Sequence, residues 1–218
     1  MSWEKFMTYL PSLLEGSVNT ILLTIVSVMF GAVLGLFLAL GRLSKNKAVD
    51  RVCWFYIWVF RGTPLLMQLY FIYYGLPKIS ESLTLPGQWP SALLALSLNS
   101  AAYLAEIIRA AIQSIDKGQM EAAKALGMSY KQAMTRIIIP QSYRRLIPPV
   151  GNELIALLKD SSLVSIMGMI ELMKITQGIA SRESSAAIYI PAAALYLVMT
   201  TLFTYIFEKL EKKYSVYE

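Results

Sequence analysis

No histidine occurs anywhere in the sequence, and only one cysteine, Cys53. The first absence removes the commonest general base and metal ligand. The second excludes an internal disulfide, and no metal-ligand spacing is present. Charge is also scarce, at 16% of residues, where soluble domains carry about 25%. No Gly-x-x-x-x-Gly-Lys-Ser/Thr run occurs, so ATP binding through a P-loop is not expected. Internal repeats and low-complexity stretches are missing too. What fills the 218 residues is apolar: 56% hydrophobic, with a mean hydropathy of +0.52. A membrane protein is the economical reading. The net charge of +6 would suggest nucleic acid in a soluble chain; here its distribution along the chain carries the information, and no nucleic-acid partner is expected.

Met1 to Glu15 carries Trp3, Phe6 and Tyr9 among polar residues, as an interfacial amphipathic segment does. Gly16 to Gly41 then runs without a charge. A spanning helix needs about 20 residues and a signal-peptide core about 7–15, so this is a retained span. Its Gly31-x-x-x-Gly35 lets another helix approach closely, from this chain or a second copy. The remaining expected spans are 52–76, 91–112, 147–170 and 188–207, with a polar loop over 113–146, all in one domain, 1–218. Arg61-Gly62-Thr63-Pro64 interrupts the second span and predicts a kink. Glu106 and Arg109 form an i,i+3 pair near the end of the third. Lys159-Asp160-Ser161-Ser162 interrupts the fourth, and Glu171 to Ser185 reads as a polar external segment.

Five spans put the two ends of the chain on opposite sides. Fourteen Lys and Arg fall in the loop 42–51, the stretch 109–145 and the tail, against four (Lys5, Lys78, Lys174, Arg182) on the other side. The positive-inside rule then places the N-terminus outside and the C-terminus in the cytoplasm.

The longest polar interval, Gly118 to Pro149, contains Glu121-Ala122-Ala123 in a run of strong helix formers, closed by Gly127 as a C-cap. Lys117 to Leu126 reads as a short helix with Met120, Ala123 and Leu126 along one face. Such a helix must lie on the membrane surface or dock into another protein's groove.

Glu-Ala-Ala at 121–123, Gly127 four residues on, and Ile139-Pro140 beyond resemble the EAA loop of permease subunits of binding-protein-dependent ABC importers. Arg61-Gly62-Thr63-Pro64 and Asn99-Ser100-Ala101-Ala102-Tyr103 resemble the polar amino acid (histidine and glutamine type) branch. The likeness spans nearly the whole chain. It implies an all-α membrane protein of about five transmembrane helices. Glu121, Ala122, Ala123, Leu126 and Gly127 would form the coupling helix against a cytoplasmic ATPase subunit. It further implies a second permease subunit, identical or homologous, two ATPase subunits that hold the ATP and Mg, and an external amino-acid-binding protein. The setting would be the cell membrane of a prokaryote. No cofactor or metal is expected on this chain.

The ionisable residues at membrane depth mark the candidate site, since each costs roughly 2.5–3.5 kcal/mol at a helix centre. With the fourth span starting near Ile147, Glu153 lies about 9 Å in and Asp160 about 20 Å, bracketing the midplane of a roughly 30 Å core. Seven residues apart, they share one helix face, with Leu157 between them. Two carboxylates so placed suit a guanidinium or ammonium. Unwound backbone after Lys159, with the Ser161 and Ser162 hydroxyls, would hold an α-carboxylate, with Asp160 on the α-ammonium. Asn99 and Tyr103, one turn apart, are placed across the cavity. Arg61 and Pro64 are expected at a kink or gate. A structural ion-pair network among Glu153, Asp160, Lys159, Arg61 and Arg109 is the competing reading. Met167, Met169 and Met173 read as packing residues.

The expected function is import of a polar amino acid, with the carboxylates favouring arginine, lysine or histidine. A proton-coupled secondary transporter using Glu153, Asp160 and Glu106 is the main rival, and the coupling motif argues against it. An intramembrane acid–base enzyme is weaker still, without histidine or an activated nucleophile.

Overall fold

The computed structural model describes residues 3–214, and of Trp3 only the backbone. The tail beyond 214 lies outside the described residues, as do Met1, Ser2 and the Trp3 side chain expected at the interface. Among the described residues there is no strand. Three helices are long and apolar enough to cross a membrane, over Glu4–Arg42, Gln88–Gln113 and Ala186–Tyr214. They match the first, third and fifth expected spans. The second and fourth expected spans are interrupted or polar, and they carry Arg61, Pro64, Glu153 and Asp160.

Helix α1 (Trp3–Arg42) runs without interruption through Pro11, so the segment before Gly16 is the first part of the spanning helix rather than a separate element. At about 1.5 Å per residue it is some 60 Å long, twice a bilayer core. Its N-terminal end is fastened by Lys5 and Tyr9, which both donate to the Glu183 carboxylate. The two glycines of the Gly-x-x-x-Gly motif lie against α5 (Gln88–Gln113) of the same chain. A Cβ on Gly31 would stand 3.1 Å from Ser100 Cβ, and one on Gly35 would stand 3.0 Å from the Ala101 carbonyl oxygen. The motif therefore serves close packing within one chain.

Helix α2 (Lys47–Gly62) starts on an Asn46 cap and stops at Thr63, which is extended (φ −117°, ψ 146°) before Pro64. The proline ring disfavours helical backbone in the residue before it, so the break falls at Thr63. The chain resumes as α3 (Leu65–Tyr70), widens into a π turn (Phe71–Gly75) and ends in α4 (Leu76–Ile79).

After α5, the short α6 (Lys117–Ala125) is capped by the Asp116 side chain, which accepts from Gly118 N. Gly127 has φ +76°, a left-handed conformation that glycine adopts without Cβ strain, and it closes the helix as expected. The next piece, α7 (Tyr130–Ala133), opens on a Ser129–Gln132 capping box and passes through a π turn (Met134–Ile138) into α8 (Ile139–Asp160). The helical run that leads into the fourth expected span is thus continuous from Tyr130, well before Ile147. Pro140 follows directly on the π turn, a local widening that suits a residue with no N–H to donate inside a continuing helix.

Helix α8 ends at Asp160. Ser161–Met167 continue as a 3₁₀ turn, and Gly168 reverses the chain at φ +79°. No single helix covers 147–170. A 3₁₀ run of seven residues is long for that conformation. Side chains from elsewhere hold it: Gln88 Nε2 donates to the Met167 carbonyl at 2.9 Å, and Asn19 Nδ2 to the Ile170 carbonyl at 3.2 Å. The segment expected to be polar and external begins with Glu171, which is fully buried and caps α9 (Leu172–Glu183). Helix α10 (Tyr189–Tyr214) completes the chain. The main core is Leu, Ile, Ala and Met drawn from α1, α5, α8, α9 and α10, with Met167 and Met169 buried inside it.

Candidate functional site

The break in the α2–α3 segment exposes carbonyls that a continuous helix would use. Two side-chain amides take them up. Gln68 Nε2 donates to Phe60 O and Thr63 Oγ1, both at 2.9 Å, and to Thr63 O at 3.1 Å. Asn99 Nδ2 donates to Gln68 Oε1 at 3.0 Å and to Phe60 O at 3.3 Å. Asn99 is 7% exposed. Its amide braces the broken helix and is not directed across a cavity, contrary to the expectation from one-turn spacing with Tyr103.

Tyr103, one turn further along α5, remains accessible. Its ring carries the Arg61 guanidinium, with Cζ 5.3 Å from the ring centroid. Arg61 therefore projects from the last turn of α2, just before the break, onto the face of α5. Two neighbouring clefts meet there. One, of about 400 Å³, extends toward Arg42, Trp54 and Trp58; the other, of about 440 Å³, extends toward Ala110, Arg145 and Pro149. Arg61, Tyr103 and Glu106 line both. Glu106 is engaged by Arg109, whose Nη2 and Nε donate at 2.6 and 3.1 Å. That is the i,i+3 pair expected from the sequence, in bidentate form.

Glu153 and Asp160 sit on α8, seven residues and so about 10 Å apart along its axis. Glu153 is half-buried, and the carboxylate faces the Ser100 hydroxyl of α5. That hydroxyl is itself buried without a hydrogen bond of normal geometry. Asp160 is exposed at the helix end, beside Lys159. Neither carboxylate forms part of an ion pair between described residues.

Two expected contact residues are turned inward. Leu157, between the carboxylates in sequence, is 2% exposed and packs in the core. The Ser161 hydroxyl is fully buried and donates to the Leu158 carbonyl at 2.8 Å, closing the end of α8. The 3₁₀ turn keeps the backbone beyond Asp160 helical, so the unwound amides expected there for an α-carboxylate are not available. Ser162 is partly exposed. Pro64 starts α3 at the break. Among the described residues no three His, Cys, Asp or Glu side chains converge to form a metal donor set.

One residue that sequence reasoning passed over organises the opposite part of the bundle. The Glu171 carboxylate accepts from Met173 N (2.9 Å), Lys174 N (2.7 Å), Tyr196 Oη (3.2 Å) and Thr20 Oγ1 (3.3 Å). It joins α1, α9 and α10. The available signal was a carboxylate two or three residues ahead of backbone amides at a helix start.

The remaining element faces outward. Ala123 of α6 is 1% exposed, on a helix that packs against α7 and the π turn after it, whereas Leu126, just past the helix end, is 81% exposed. Glu121 and Ala122 are exposed beside it. The described residues thus hold a short surface helix with a bare leucine at its end, a broken helix braced by two side-chain amides, and two carboxylates on α8, one half-buried and one at the helix end.

Comparison with known proteins names the family. Residues 31–216 match the family "Binding-protein-dependent transport system inner membrane component", and the chain belongs to that family. It is 41% identical over 214 residues to the arginine transport system permease protein ArgU of Corynebacterium glutamicum, covering 92% of this chain and 68% of the relative. It is 39% identical over 210 residues to the arginine transport system permease protein ArtQ of Bacillus subtilis, covering 94% and 93%. A putative glutamine transport system permease protein GlnP of Rickettsia bellii is 39% identical over 215 residues, covering 97% of both. Among solved structures, a crystal structure of an amino acid ABC transporter with histidines matches at TM-score 0.91 and 40% identity, covering 98% of this chain and 99% of the other. The MetNI methionine ABC transporter, at 22% identity and TM-score 0.80, shares the fold. The chain is thus a permease component of an ABC importer of the amino acid type.

Proposed function

We propose that this subunit carries a basic amino acid into the cytoplasm by alternating access, driven by ATP hydrolysis on a separate partner. The observation that carries the choice of cargo is the pair of carboxylates on α8. Glu153 is half-buried and Asp160 lies about 10 Å further along, and neither is engaged in an ion pair with a described residue. An extended arginine or lysine presents two cationic groups over a comparable distance. A buried carboxylate without a counter-cation is costly, and a cationic guest removes that cost. Tyr103 supplies an aromatic face for one of the two cations, and Ser162 a free hydroxyl. The similarity to two arginine permeases supports this cargo, while another relative of similar identity bears the name of a putative glutamine transport permease.

Coupling runs through α6. Glu121, Ala122 and Leu126 present the face that an ATPase groove receives, and Gly127 lets the chain turn back toward α8 without strain. ATP and Mg belong to that partner. A second permease subunit completes the pathway around α8, and an external binding protein delivers the amino acid. The N-terminus lies outside and the C-terminus in the cytoplasm, on the Lys and Arg distribution. The membrane is the cell membrane of a prokaryote, like those of the relatives.

Uptake into proteoliposomes tests this reading against a proton-coupled carrier. Labelled arginine should accumulate only with binding protein and ATP present, whatever pH gradient is imposed. Accumulation that follows the pH gradient without ATP would replace the importer with a carboxylate-based proton carrier.

A further inference from the structure

Arg61 is unusual among the cations of this chain. It lies near the middle of an expected span, where an uncompensated charge is costly, and yet it forms no ion pair with a described carboxylate. Arg42 pairs with Asp50 and Arg109 with Glu106. Arg61 instead rests its guanidinium on the Tyr103 ring at 5.3 Å. Two carboxylates lie within electrostatic range, Glu106 and Glu153. Glu106 is already neutralised by the bidentate Arg109 contact. That leaves Glu153, whose own neighbour on α5 is Ser100, three residues before Tyr103. The Arg61 guanidinium rests on the Tyr103 ring, one turn along α5 from the Ser100 hydroxyl that the Glu153 carboxylate faces, and a cationic amino acid side chain would draw on the same ring and carboxylate.

We propose that Arg61 is a tethered stand-in for the cationic end of the substrate. It occupies the Tyr103 face while the site is empty and vacates it when a basic amino acid binds. The inference rests on reading Glu153 as a cation site and adds a specificity-determining residue to it. Arg61 screens Glu153 enough to keep the empty site from being an uncompensated anion. It does not neutralise it, because no hydrogen-bonded pair forms. Substrate and Arg61 then compete for one ring and one field. Affinity stays moderate, and return of Arg61 to Tyr103 favours release. The position of Arg61 suits this role, since it ends α2 immediately before the break at Thr63 and Pro64. A change in the angle of that break swings the guanidinium toward or away from Tyr103.

The test is calorimetric binding of arginine and of glutamine to the purified permease–ATPase complex without binding protein. Arg61→Gln should bind arginine roughly tenfold or more tightly than wild type, because a like charge has been removed from beside the site. Arg61→Lys, which keeps the charge, should bind like wild type. Glutamine, which carries no side-chain charge, should change little. Arg61→Met keeps the aliphatic stem and serves if the glutamine variant fails to assemble. Weaker arginine binding in both uncharged variants, in complexes that still hydrolyse ATP, would overturn the proposal and make Arg61 a receptor for the α-carboxylate. Unchanged binding that still depends on Glu153 would overturn the stand-in role alone. Wild-type binding indifferent to Glu153→Gln would overturn the cation site beneath it.

Discussion

Asn99 Nδ2 donates to the side-chain oxygen of Gln68 at 3.0 Å, and together the two amides satisfy the carbonyls that the Thr63–Pro64 break sets free. Backbone freed at membrane depth persists only where protein or enclosed water satisfies it. Asn99→Leu should therefore destabilise the chain by about 1–3 kcal/mol, the cost of leaving a buried polar group unpaired. Thermal melting of the purified complex checks this. Melting like wild type, with lost arginine affinity, would return Asn99 to the substrate.

Ala123 of α6 and Leu126 at its C-cap should respond oppositely. Leu126→Asp changes a residue that is 81% exposed, so melting of the permease should hold while ATP-dependent uptake collapses. Ala123→Leu overfills a site that is 1% exposed and should cost about 1–3 kcal/mol. Full uptake in Leu126→Asp vesicles would remove α6 from the coupling route.

Glu171→Ala deletes an acceptor of four hydrogen bonds joining α1, α9 and α10. Loss of a buried charged acceptor should cost about 1–3 kcal/mol or more, with Glu171→Gln milder because its amide oxygen still accepts. Hydrogen exchange of the α9 amides, faster in the alanine variant, reports the loosening at its source.

The Glu183 carboxyl, outside the spans, is held below its ordinary value of 4.5, chiefly by the hydrogen bond from Lys5 and then by that from Tyr9. A carboxylate lowered in the folded state stabilises it above the unfolded value, and that stabilisation fades as pH falls through the lowered folded value. The fastening of the N-terminal end of α1 should thus be intact at neutral pH and weaken below about 4.5. Melting temperatures of wild type and Glu183→Gln should converge on acidification; a constant gap would assign the effect to something other than this charge.

Local chemistry was readable from the chain. Helix formers ending at Gly127 gave α6, the Thr63–Pro64 pair gave the break, and Glu106 with Arg109 gave an ion pair three residues apart. Each depends on neighbours in sequence. Asn99 depends on Phe60 and Gln68, 39 and 31 residues away, and Glu171 on Thr20, 151 residues away. No spacing rule reaches that far. Leu157 and Ser161 shared the face or the break expected of contact residues, yet core packing and the end of α8 claimed them. Helical structure starts as early as Tyr130 because a π turn carries the chain past Pro140, an adjustment that no spacing of apolar residues announces.

The most direct test of the account is calorimetric binding of arginine to the purified permease–ATPase complex, with Glu153→Gln and Asp160→Asn beside wild type and no binding protein. The account predicts binding of arginine but not glutamate by wild type, lost or weakened at least tenfold in either variant. Arginine binding that is unchanged in both variants would contradict it and return the two carboxylates to a structural role.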